Sequence, residues 1–150
     1  MSTLRRRRPS GQGLVEFAIA LIPFMFILMG IVDLGRGIYV NNGVSQAARE
    51  IARVTAVHPG ATLGMSSQTQ AVLQTQRSMI PGLADPNASV TFTCTTINDM
   101  PIAGSGCASS PSSPLVFVKV QVQVPFSVVT PLLGAFAPQS LSSTAHIRVP

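Results

Sequence analysis

The stretch FAIALIPFMFILMGIV, positions 17 to 32, contains no charged residue and follows four successive arginines, Arg5, Arg6, Arg7 and Arg8. Widening it to Gly13 and Leu34 adds only Glu16 and Asp33. That length is near the ~20 residues a helix needs to cross about 30 Å of hydrocarbon. Arginines immediately before such a segment hold that end in the cytoplasm, which sends everything after Leu34 outward. A cleaved secretory signal is the competing reading of a basic region followed by an apolar one. Against it, the run exceeds the usual apolar core, and no small-x-small site follows before Asp33 and Arg36. Pro23 removes one backbone donor, which membrane helices tolerate, and predicts a mild kink.

A chain of 150 residues suits one modest domain. Its net charge of +5 comes mostly from the arginine cluster. Arg49, Arg53, Arg77, Lys119 and Arg148 are scattered, Trp is absent and Tyr39 is the single tyrosine, so no basic face with interleaved aromatics points to nucleic acid. Few charges and abundant Gly, Pro, Ser and Thr towards the C-terminal half fit an anchored extracytoplasmic protein better than a cytosolic enzyme. Cys94 and Cys107 are the only cysteines, and an even pair at this spacing suggests a disulfide in an oxidising compartment. The alternative is two free or buried thiols.

The helical pattern continues past the apolar run. Val40, Val44, Ala47, Ala48, Ile51, Ala52 and Val54 form a near-helical stripe, giving a helix over about 14–57 and a rod of roughly 60 Å. Ala48, Ala52 and Ala56 fall at i, i+4 and i+8, a ridge that lets another helix approach closely. Arg49, Glu50 and Arg53 lie away from it, and His58-Pro59-Gly60 ends the helix. Residues 65–80 predict a shorter helix with Val72, Met79 and Ile80 on one face, stopped by Pro81-Gly82. Period-two patterns predict strands over 90–96, over 116–124 and over about 142–149, the second with Val116, Val118, Val120, Val122 and Val124 on one side. Residues 98–114 read as a Gly, Ser and Pro loop. After Pro125 the segment FSVVTPLLGAFAP is too short to span and reads as an apolar excursion packing on the sheet. The expected fold is therefore α+β: a long N-terminal helix, a short second helix and a small antiparallel sheet of about three strands.

The run Gly11-Gln12-Gly13-Leu14-Val15-Glu16-Phe17 resembles a type IV prepilin processing site of the Tad pilus class. There a glycine ends a short basic leader, glutamate is the fifth mature residue, and an aromatic follows. With the helix extension QAAREIARVTAV and the ending VPFSVVTPLLGAFAPQSLSSTAHIRV, most of the chain resembles TadE-like minor pilins or pseudopilins, least over 60–114. The resemblance implies cleavage of the Gly11-Gln12 bond by an inner-membrane prepilin peptidase, with Gln12 where other type IV pilins carry phenylalanine. Of the two glycines, only Gly11 places Glu16 fifth. It further implies a leader at 1–11, a transmembrane helix at 12–35, its extracytoplasmic continuation at 36–58 and a small outer domain at 59–150. Expected partners are membrane lipid, the peptidase, other Tad pilins or pseudopilins and inner-membrane assembly proteins. The implied role is pilus biogenesis, secretion and adhesion; no phosphate-binding glycine loop, nucleophile elbow or pair of acids appears in the sequence, so no enzyme activity, cofactor or metal is expected.

Glu16 has a physical reading of its own. A carboxylate near a helix N-terminus is favoured by the helix dipole, and its cost is lower at a membrane interface than at the centre. In a bundle of apolar rods it would need a partner, such as a neighbouring subunit's new amino terminus; alternatively it simply sits among lipid headgroups. Asp33 and Arg36, at i and i+3, either pair or mark where the helix leaves lipid. His58 and His146 belong to no metal-ligand cluster, Asp85 and Asp99 suit turns, and Asn87-Ala88-Ser89 matches a glycosylation tripeptide that recurs by chance. The other reading of the whole is an unprocessed, singly anchored envelope protein whose outer domain binds a partner.

Overall fold

A computed structural model describes residues 11–102, 107, 115–130 and 138–150. The arginine cluster and the leader before Gly11, most of the 98–114 loop, and positions 131–137 of the apolar excursion lie outside the described residues. The described fold is α+β, in the order α1 (Gln12–Val57), α2 (Ser67–Met79), β1 (Ser89–Thr96), β2 (Val116–Pro125) and β3 (Ser140–Arg148).

Helix α1 is one continuous element through Pro23. It starts at Gln12, two residues before the expected boundary, with Gly11 as its N-cap and Glu16 opening the second turn. Its covered stripe is Val40, Val44, Ala47, Ala48, Ile51, Ala52, Thr55 and Ala56, the i, i+4, i+7 progression of a one-sided helix. Thr55 takes the place anticipated for Val54, which is only half-buried. Its hydroxyl donates to the Ile51 carbonyl at 2.7 Å and lies 3.2 Å from the Thr69 hydroxyl, so the polar atom is satisfied where helix meets helix.

Helix α2 is capped by Ser66, whose side chain accepts from the Thr69 amide at 3.2 Å. Its buried residues are Thr69 and Leu73, whereas Met79 of the expected face is exposed. In the turn before α2, Gly64 has a positive φ of 79°, and a Cβ there would lie 2.6 Å from the Phe92 ring. Glycine is required at that position on both counts.

The sheet is an antiparallel meander in the order β1-β2-β3. In β2 the five valines from Val116 to Val124 are all buried, while Gln121 and Gln123 are exposed. This face packs on the second half of α1, and the shared core also takes in Leu73, Ile80, Leu83, Cys94, Cys107 and Ala145. Each fully buried valine contributes about 1.5–3 kcal/mol. Cys94 and Cys107 are joined by a disulfide that ties the strand-connecting loop to β1.

Candidate functional site

Among the described residues, nothing packs over the first half of α1. Leu14, Val15, Phe17, Ile22, Phe24 and Ile27 are exposed, as is every residue of α1 before Gly30. The helix is long and apolar enough to cross a membrane. Gly11 and Gln12 sit at its tip, exposed, with no described atom within 4 Å of a Cβ built on Gly11. Glu16 and Phe17 are likewise exposed on the rod. Glu16 is the single charged residue among residues 12–32, about 25 Å of helix from Asp33. Among the described residues, nothing covers the Gly11-Gln12 peptide bond or the Glu16 carboxylate.

The alanine ridge is placed differently. Ala48, Ala52 and Ala56 are buried in the core, against elements of the same chain. Small side chains let the helix approach closely, but here the close neighbours are the sheet and α2.

Sequence reasoning missed the arrangement around Asp33. This residue is 5% exposed, and its carboxylate is not ion-paired with Arg36. It accepts from the Val129 amide at 3.0 Å, the Thr130 amide at 2.8 Å and the Thr130 hydroxyl at 2.7 Å. Arg36 donates instead to the Ser127 carbonyl, and its guanidinium stacks 5.1 Å from the centre of the Phe126 ring. Phe126 in turn lies 3.4 Å from where a Cβ on Gly37 would be. Residues 126–130 are thereby clamped to α1 more than ninety positions away in sequence. The acid and the base were visible as exceptions in an apolar helix. Nothing local in the sequence revealed that their partners, mostly backbone groups, come from the segment after β2.

A cleft of about 790 Å³ lies between α1, α2 and β3 and is lined by Tyr39, Met79, Ile80 and Ile147 together with Arg49, Glu50, Arg53 and Gln76, among others. Asp99 sits at a positive φ of 58°, bonded to the Lys119 ammonium at 2.7 Å, with His146 Nδ1 at 3.8 Å. The hydrogen bond from Lys119 chiefly holds its carboxyl below the usual range, desolvation opposes this, and the charges of Lys119 and His146 add to the lowering. This is a surface clip on the loop between β1 and β2. His58 is exposed at the C-cap of α1, and Asp85 accepts from the Asn87 amide in a turn.

Residues 11–53, the rod and the first part of its covered continuation, match the family model described as TadE-like protein. No curated protein and no solved structure matches the chain.

Proposed function

We propose that the chain is a minor pilin or pseudopilin of a Tad-type pilus system, anchored by α1 and assembled through its uncovered half. The observation that carries this reading is the TadE-like match starting at Gly11, one residue before an apolar rod that no described part of the chain covers. A prepilin peptidase in the inner membrane cuts between Gly11 and Gln12. Gln12 becomes the first residue and Glu16 the fifth. The new amino group and the carboxylate of a neighbouring rod then satisfy each other as the rods bundle, because a charge enclosed by apolar helices needs a partner. The arginines keep the leader cytoplasmic, the folded half lies outside, and the Cys94–Cys107 bond suits that oxidising side. The protein works in pilus biogenesis, secretion and adhesion by packing, without enzyme chemistry or a cofactor.

Intact mass of the protein from cells containing the matching peptidase tests this. Loss of residues 1–11 is expected, and a Gly11→Leu variant should keep them. Glu16→Ala should still be cut and fail to assemble. A full-length wild-type chain would instead favour a singly anchored envelope protein.

A further inference from the structure

We infer that residues 126–130 form a second membrane contact, seated at the leaflet from which α1 emerges. This rests on the reading that α1 spans a bilayer. From Leu14 to Val32 the uncovered helix measures about 28 Å, close to one hydrocarbon thickness. Asp33 comes next, and it is the residue that fixes residues 129 and 130 to the helix. The segment is therefore held at the depth where the rod leaves lipid.

Its chemistry suits that depth. Val129 spends its backbone N–H on Asp33, yet its side chain is 68% exposed, and Ile31, Val32, Leu34 and Ile38 at the same level of α1 are exposed too. An apolar groove of about 600 Å³ lies between α1 and the segment after β2, lined by Gly30, Leu34, Gly37, Ile38, Phe126 and Val128 among others. Among the described residues, the only acid there is buried and fully bonded, so this face presents no bare carboxylate to lipid. Arg36, whose guanidinium stacks on Phe126 and donates to the Ser127 carbonyl, supplies a cation at phosphate level. No Asp, Glu, Lys or Arg occurs in the sequence between Lys119 and Arg148. The occupant is lipid rather than a second copy, because the patch continues the apolar surface that the bilayer already covers on α1.

The chain contains no tryptophan, so a single introduced indole reports its own position directly. Val129→Trp and, separately, Ile22→Trp would be placed in the full chain and reconstituted into phosphatidylethanolamine and phosphatidylglycerol vesicles. The lipids would be brominated either near the headgroup or near the chain ends. Both positions are exposed, so neither change disturbs the core. The expected result is that the Val129→Trp protein loses emission mainly to headgroup-proximal bromine and the Ile22→Trp protein mainly to deep bromine. If the Ile22→Trp protein is quenched while the Val129→Trp protein stays red-shifted and unquenched, the loop lies in water and the inference is overturned, with the span intact. Blue-shifted but unquenched emission from the Val129→Trp protein means that protein covers the patch, which also overturns it. If neither variant is quenched, the spanning reading fails and takes the inference with it.

Discussion

The two halves of α1 share one backbone and differ in what covers them. Residues 12–29 carry large apolar side chains around the whole circumference and stay exposed, with no other described element packed over them. From Val40 to Ala56 the large residues give way to a one-sided stripe of Val, Ile and Ala, and the sheet and α2 close over it. A helix apolar all round needs an apolar solvent or other helices, whereas a striped helix is completed by its own chain. Between the halves, Asp33 and Arg36 fasten residues 126–130 to the rod.

The sharpest way to break this contrast is one substitution made in each half. Ile51→Ala removes a fully buried side chain and should cost about 3–4 kcal/mol, while Ile22→Ala should leave the folded domain within about 0.5 kcal/mol. Urea unfolding of the detergent-solubilised chain, followed by circular dichroism, measures both; equal losses would erase the distinction. At the junction, Asp33→Ala strands the Val129 and Thr130 amides and should cost about 2–3 kcal/mol, with faster amide exchange confined to that segment. Overfilling gives the next smaller effect. Ala52→Leu has no room against the core and should cost about 2 kcal/mol, whereas Ala20→Leu on the uncovered rod should be tolerated, as unfolding midpoints would show.

The smallest effect belongs to Asp99. Its folded pKa is depressed, so its contribution is present above the ordinary carboxylate range and is lost as pH falls through the folded value. Lys119→Met should return the Asp99 carboxyl titration towards its ordinary midpoint by NMR. Because the pair is exposed, the unfolding midpoint at neutral pH should barely move.

The valine alternation of β2 was legible in the sequence because a period of two is imposed by the strand itself. The alanine ridge was legible too, but not its occupant: close approach is a property of the small residues, while the neighbour depends on where the chain returns. Leu73 and Thr55 escaped notice because a short glutamine-rich helix and a buried threonine carry weak hydrophobic signals. The Asp33 clamp escaped because it is made mostly of backbone amides, which every residue except proline possesses.

The sequence by itself determined the elements: an apolar run too long for an ordinary secretion signal, a striped continuation, and strands with one greasy face. It also singled out Glu16, Asp33 and Arg36, since a charge stands out in an apolar setting, and Gly11 through the resemblance of the run around it to a processing motif. Tertiary structure alone decided that the ridge faces the chain's own sheet and that Asp33 is spent on residues 129 and 130. Local patterns follow from helix and strand periodicity, but a contact across more than ninety residues is chosen only when the whole chain packs.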